Sequence, residues 1–123
     1  LWVAANKPNV ERGALFGTPL DHDNTVRNLV ARIDLANGLV DRSIDIDNSD
    51  SSSALTFSPR GDYLFVTLQG NNELVVFDAL TLGGSAGLGG MVTRLQAGLA
   101  PQGVAVDAAT GRILVNNFMG RSV

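Results

Sequence analysis

The fold is decided by two stretches of the chain that match each other. Residues 54–67 read ALTFSPRGDYLFVT, and residues 103–116 read GVAVDAATGRILVN, 49 positions later. Each stretch begins and ends with a run rich in apolar, β-branched and aromatic residues, which are typical of strands. Between the runs lies Gly61 or Gly111, and glycine readily adopts the positive φ that many tight turns require. Each stretch is therefore predicted to form a strand, a turn and a second strand.

Further matches extend this pair of strands to four. Residues 30–34 resemble residues 74–78, 44 positions later, and each predicts a third strand that ends in an aspartate at a turn. Alternating segments follow at 39–45 and 91–96 and are predicted to be fourth strands, while residues 1–5 match a second strand. A four-stranded unit of about 40–50 residues is the sequence signature of a β-propeller blade.

The pattern predicts an all-β protein forming a partial β-propeller of about two and a half four-stranded antiparallel blades. Residues 54–96 would form one complete blade. Residues 1–46 would form the second to fourth strands of another, with an insert at 6–25, and residues 103–123 would begin a third. A propeller typically needs at least about four blades to close, so we expect the chain to be a piece of a larger protein. A β-sandwich built from the same strands remains the alternative, because its alternation is similar.

Composition limits the classes of function. With 45% hydrophobic residues in 123, the chain can bury a core. Nine basic residues against twelve acidic ones give a net charge of −3, which disfavours nucleic acid as a partner. The chain has no cysteine, which excludes disulfides, a thiol nucleophile, thiolate-bound zinc and c-type haem attachment within these residues. No apolar run approaches the roughly 18 residues of a membrane span.

Two segments carry a resemblance to a known family. Residues 98–106 (GLAPQGVAV) and 111–117 (GRILVNN) resemble the YVTN-type β-propeller repeat, a WD40-like family, and residues 58–66 (SPRGDYLFV) resemble a second copy. The resemblance spans the chain apart from inserts at 6–25 and 79–90. Residues 1–34 and 117–123 are also similar to propeller regions that accompany bacterial cytochrome c domains of the di-haem peroxidase type.

The resemblance implies a non-catalytic binding or scaffold segment of a larger exported protein, in the periplasm or outside the cell. Its partners would be the remaining blades, or other copies that close the propeller, and a cytochrome c-type electron-transfer domain. The haem of that domain would lie outside these residues, and we expect no cofactor within them. The alternative is part of a lactonase-like or redox enzyme, since a shared fold does not determine an activity.

Propeller topology would bring five loop segments to one face: 6–25, 47–53, 69–72, 97–102 and 117–120. Function is expected at this face, because rigid scaffolds commonly present binding residues on loops.

Two groups of residues on or next to these loops are candidates for chemistry. His22 lies between Asp21 and Asp23, whose carboxylates could raise its pKa or join it as metal ligands, although a solvated polar loop is the commoner role for such a segment. Asp45, Asp47 and Asp50 could supply oxygen ligands to calcium. They lack the glycine and distal glutamate of an EF-hand, so a turn between strands is favoured over a calcium site.

Overall fold

The computed structural model describes residues 1–8, 26–46, 49–83 and 89–123, and within these ranges the protein is all β. The strands are β1 (Trp2–Pro8), β2 (Val26–Ile33), β3 (Val40–Ile46), β4 (Ser52–Phe57), β5 (Tyr63–Leu68), β6 (Glu73–Asp78), β7 (Met91–Gln96), β8 (Pro101–Val106) and β9 (Ile113–Asn117). No helix, and so none able to cross a membrane, occurs in these ranges.

The strands form three antiparallel sheets in which neighbours along the chain are neighbours in space. The first sheet has the order β1-β2-β3, the central sheet β4-β5-β6-β7, and the third sheet β8-β9. Within each sheet every strand pairs antiparallel with the next one, without a crossover. The prediction of an all-β protein built from antiparallel strands is therefore confirmed.

The central sheet is buried on both faces, which explains the nearly continuous apolar runs of its inner strands. Leu64 and Val66 of β5 point to the same face as Phe77 of β6, whereas Phe65 and Val76 point to the other face. All five are buried. A sheet covered on one side only would alternate between apolar and polar residues.

The first and third sheets cover the two faces of the central sheet. Val30 and Ile46 of the first sheet pack in one cluster with the Phe77 face, and Trp2 joins them with its ring 5.9 Å from that of Phe57, edge to face. On the opposite face, Phe65, Leu74 and Val76 pack against three valines of the third sheet, Val104, Val106 and Val115. The core thus consists of two apolar layers on either side of the central sheet.

The central and third sheets share the same backbone irregularities 49 positions apart. Pairing of β4 with β5 shifts register between Ser52 and Ala54, and pairing of β8 with β9 shifts between Pro101 and Gly103. Positive φ angles also recur at this spacing, at 55° for Ser51 and 53° for Ala100. The sequence match that predicted two similar hairpins therefore extends to their distortions.

Aspartates stabilise the turns of both hairpins. The Asp107 carboxylate accepts hydrogen bonds from the Thr110 hydroxyl at 2.5 Å and from the Ala109 amide at 2.9 Å, and these lower the pKa of Asp107. In the other hairpin the Ser58 hydroxyl donates to Asp62 and lowers its pKa in the same way. Hydrogen bonds to the charged form of a carboxylic acid favour that form.

Replacing the buried Phe77 should test the double-sided core. Phe77→Ala is expected to lower the free energy of unfolding by about 3–5 kcal/mol, because it removes a large apolar side chain and leaves a cavity. The matched control Phe118→Ala, at an exposed phenylalanine, should stay within about 0.5 kcal/mol of the wild type. Urea unfolding measures both values, and equal losses would contradict the assignment of Phe77 to the core.

The turn at Asp107 makes a prediction about pH. Because its pKa is lowered in the folded state, Asp107 adds stability above its unfolded pKa, and this is lost as the pH falls through the lower folded value. Thr110→Ala removes the principal hydrogen bond and should raise the pKa of Asp107 toward the ordinary range, as measured by NMR titration of the carboxyl carbon. The pKa of Asp62 should not change, and a shift at both sites would indicate a general loss of structure.

Candidate functional site

The loop that leads from the first sheet to the central sheet meets a loop within the central sheet at one end of the strands. Residues 49–51 lead from β3 to β4, and residues 69–72 connect β5 to β6. Backbone hydrogen bonds join the two loops, from Gln69 N to Ser51 O at 2.8 Å and from Gly70 N to Asp50 O at 3.2 Å. The Asp50 amide also donates to Oδ1 of Asn71 at 2.6 Å. These contacts hold the loops in one arrangement.

Two loops of the third sheet reach the same end of the structure. The segment 97–100 precedes β8, and the segment after β9 returns to it through hydrogen bonds from Phe118 N to Ala100 O at 3.0 Å and from Gly120 N to Leu99 O at 3.2 Å. The segment 97–100 is also tied to the central sheet, because the Ala97 amide donates to the Asn72 carbonyl at 2.8 Å. We call this end of the three sheets the loop edge.

An open pocket of about 450 Å³ lies at the loop edge. We call it the loop pocket. A volume of this size is typical of small-ligand sites. It is lined by Ser51, Gln69, Gly70, Asn72, Leu99, Ala100 and Met119.

Three residues that line the loop pocket have a left-handed backbone conformation. Ser51, Asn72 and Ala100 have φ angles of 55°, 58° and 53°. This region costs residues such as serine and alanine roughly 1–2 kcal/mol, whereas asparagine tolerates it better. Hydrogen bonds compensate for this cost, since Oδ1 of Asn72 accepts the Ala100 amide at 2.8 Å. Such strained residues cluster at functional sites, where the surrounding structure holds them in place.

Two asparagines, 44 positions apart, fasten successive sheets to one another. Asn28 of β2 is fully buried, and its Oδ1 accepts the Ser52 amide at the start of the central sheet at 2.9 Å. Its Nδ2 donates to the Ser49 hydroxyl at 3.1 Å. Asn72 makes the corresponding bond to the segment that leads into the third sheet. Each asparagine therefore links its own sheet to the beginning of the next.

Gly70 is required by a close approach between two loops. A Cβ atom at this position would lie 2.8 Å from the Cβ atom of Asp50, closer than side-chain carbon atoms can approach. The Asp50 carboxylate in turn accepts a hydrogen bond from the Ser51 hydroxyl at 2.9 Å. The side chain of Asp50 therefore packs against Gly70, a residue that lines the loop pocket.

The lining of the loop pocket is uncharged and partly apolar. Its side chains supply two amides and a hydroxyl, from Gln69, Asn72 and Ser51, and none of the lining residues is ionisable. Leu99 and Met119 are 58% and 70% exposed although both are apolar. Both side chains therefore leave apolar surface at the pocket that a ligand could bury. The arrangement can form hydrogen bonds and bury an apolar group, but none of the lining residues offers an acid or a base.

The ion pair between Arg32 and Asp41 lies elsewhere, at the opposite end of the first sheet. The Arg32 guanidinium contacts Asp41 at 2.5 Å and lowers the pKa of that carboxyl group. The guanidinium also lies 5.9 Å from the centre of the Trp2 ring. An exposed pair of this kind contributes little to stability and takes no part in the loop pocket.

Four of the candidate residues named from the sequence lie outside the described residues: Asp21, His22, Asp23 and Asp47. Asp45 lies on β3, and Asp50 is next to two residues that line the loop pocket, Ser51 and Gly70. Nowhere in the described ranges do three or more histidine, cysteine, aspartate or glutamate residues gather as metal ligands would. The structure does bring together parts of four of the five predicted loop segments, 47–53, 69–72, 97–102 and 117–120.

Gln69, Asn72 and Met119 were not singled out from the sequence as individual residues. Uncharged residues in loops form no recognisable sequence motif. Only their position, in loops that follow predicted strands, indicated that they could belong to a site.

A second hollow lies on the outer face of the third sheet, away from the central sheet. It has a volume of about 310 Å³, and we call it the outer hollow. Among its lining residues is Leu114, which is 46% exposed. The full lining consists of Gly103, Val104, Ala105, Leu114, Asn116 and Val123.

The fold is similar to a solved structure of hydrazine synthase from Kuenenia stuttgartiensis. The TM-score is 0.73 at 17% sequence identity, and the match covers 98% of this chain. It covers 40% of the hydrazine synthase chain, so the present chain spans less than half of that length. At this identity the likeness shows the fold alone. No protein-family model and no curated protein matches the chain.

The bond between Asn72 and Ala100 makes a prediction about stability. Asn72→Ala is expected to lower the free energy of unfolding by about 1–3 kcal/mol, because the Ala100 amide loses its acceptor in a partly buried position. Asn72→Asp keeps an oxygen acceptor and a side chain that tolerates positive φ, so its loss should be clearly smaller. Thermal unfolding measures both variants, and an equal loss would show that this hydrogen bond is not what matters at position 72.

Proposed function

We propose that the chain is a non-catalytic scaffold segment of a β-propeller, whose loop edge binds a partner. The observation that carries this proposal is the meeting of loops from successive stacked sheets around the uncharged loop pocket. Binding sites on rigid β scaffolds are commonly built from loops in this way.

The packing of the sheets supports a propeller arrangement. In each sheet the strands follow chain order, and the central sheet packs face to face against a sheet on either side. Its first strand, β4, contacts both β1 and β8, whereas its last strand, β7, is largely exposed. Sheets that radiate from a common axis have these properties, with first strands inside and last strands outside.

The outer hollow supports the presence of further sheets. The 49-residue spacing relates Ala105 and Leu114 in the hollow to Thr56 and Phe65 of the central sheet. Phe65 lies on the face that the valines of the third sheet cover. The outer face of the third sheet thus corresponds to a covered face, and we propose that a further antiparallel sheet of the same kind covers it. The remaining blades of a larger protein would supply that sheet.

The resemblance to YVTN-type repeats supports a wider setting for the proposal. In that setting the larger protein is exported to the periplasm or beyond, and a cytochrome c-type electron-transfer domain is the partner. The net charge of −3 suits a protein partner better than a nucleic acid.

Thiol labelling in the larger protein would test the covered face. Leu114→Cys and Leu35→Cys introduce single thiols into a stretch that has no cysteine, at positions that are 46% and 77% exposed here. The difference in exposure is less than twofold. If a further sheet covers Leu114, its thiol should react with maleimide at least about ten times more slowly than the thiol at position 35, as read by mass spectrometry of the labelled peptides. Similar rates would contradict the proposal.

A further inference from the structure

We propose that the loop pocket binds an uncharged peptide segment that carries an aliphatic side chain. This inference rests on the proposed binding role of the loop edge and names the class of ligand. It is drawn from three properties of the pocket: its lack of charged lining residues, the side-chain amide groups that remain available for hydrogen bonds, and its exposed apolar side chains.

The charge distribution at the pocket disfavours anionic ligands. None of the residues that line the pocket is ionisable, and the carboxylate of Asp50 accepts a hydrogen bond from the lining residue Ser51 at 2.9 Å. An anion would approach this carboxylate without a lining cation to compensate for the repulsion. A peptide segment within a chain is neutral, whereas a free carboxyl terminus carries the disfavoured charge.

Polar groups in the pocket match the main chain of a peptide. The side-chain amide of Gln69 forms no hydrogen bond with any residue that the structure describes, and Nδ2 of Asn72 likewise donates to none of them. A carboxamide offers one acceptor and two donors, which is the pairing that a peptide group requires. Ser51 adds a hydroxyl. These groups can pair with the N–H and C=O of one extended residue.

Apolar side chains at the pocket provide a site for the side chain of the ligand. Leu99 and Met119 both line the pocket and are 58% and 70% exposed, so they have apolar surface left to bury. Methionine adapts its shape to an apolar partner, and a buried apolar anchor commonly carries much of the affinity for a peptide. An aliphatic side chain between these two residues would remove apolar surface on both sides from water.

The pocket is also held in shape before binding. Ser51, Asn72 and Ala100 keep their positive φ angles, supported by the hydrogen bonds from Ala100 N to Asn72 Oδ1 and from Gln69 N to Ser51 O. A ligand that enters such a pocket does not have to order these loops, which lowers the cost of binding.

Three small probes test the class of ligand. N-acetyl-leucine methylamide is neutral and has an aliphatic side chain, N-acetylglycine methylamide lacks the side chain, and N-acetyl-leucine carries a free carboxylate. In ¹H–¹⁵N NMR titrations of the protein, the first probe should shift the amide signals of Gly70, Ala100 and Gly120 with millimolar affinity, as expected for a molecule of this size. The glycine probe should bind roughly tenfold more weakly because it buries no aliphatic group, and the carboxylate probe should also bind more weakly. Shifts spread over the whole protein, or equal affinity for the leucine and glycine probes, would overturn the inference.

Matched variants locate the binding at the pocket. Leu99→Asp should weaken binding of N-acetyl-leucine methylamide by roughly tenfold or more, because it removes apolar contact and places a charge in the pocket. Leu35→Asp makes the same change at an exposed leucine in the turn between β2 and β3 and should leave the affinity unchanged. Met119→Asp serves as the second pocket variant if Leu99→Asp does not fold. Unchanged affinity in the pocket variants would overturn the inference.

The results separate this inference from the function on which it rests. If the probes fail to bind while the thiol at position 114 is protected in the larger protein, the ligand class is wrong and the scaffold role stands. If that thiol is also unprotected, the propeller scaffold fails as well.

Discussion

The structure depends on the burial of both faces of the central sheet. Leu64, Val66 and Phe77 form an apolar layer with the first sheet, while Phe65, Leu74 and Val76 form a second layer with the third sheet. The third sheet consists of two strands in the described residues, and an isolated pair of strands is only marginally stable in water. It is held in place because its valines cover the Phe65 face. The positions of the described loops at the loop edge follow from this stacking.

Hydrogen bonds at the loop edge convert the stacking of sheets into a defined site. Oδ1 of Asn28 and Oδ1 of Asn72 each accept a hydrogen bond from a backbone amide in the segment that begins the next sheet. The relative position of neighbouring sheets is therefore set at the same end as the loop pocket. The positive φ angles of Ser51, Asn72 and Ala100 are maintained by these and neighbouring bonds. The conformation of the pocket therefore depends on contacts between sheets and not on any single loop.

The described lining of the loop pocket is consistent with the proposed recognition role. General acid–base and nucleophilic catalysis require a group that can gain, lose or share a proton in a tuned way, and such groups are usually histidine, carboxylates, cysteine or an activated hydroxyl. The lining offers amides, apolar side chains and one serine, whose hydroxyl donates to Asp50 and has no histidine beside it among the described residues. These are the groups with which a rigid surface recognises a neutral, partly apolar partner.

Local sequence was sufficient for the all-β class, the antiparallel hairpins and the similarity of residues 54–67 to 103–116, because alternation, β-branched residues and turn glycines act over a few positions. The 49-residue match also anticipated two hairpins that proved to share a bulge. Tertiary structure alone placed Phe65 and Phe77 on opposite faces, since nearly continuous apolar runs do not show which face meets which sheet. It alone produced the positive φ angles of Ser51, Asn72 and Ala100, where no glycine signals them. The loop pocket was likewise decided by the tertiary structure, because its lining comes from segments that are distant in sequence and meet only when the sheets pack.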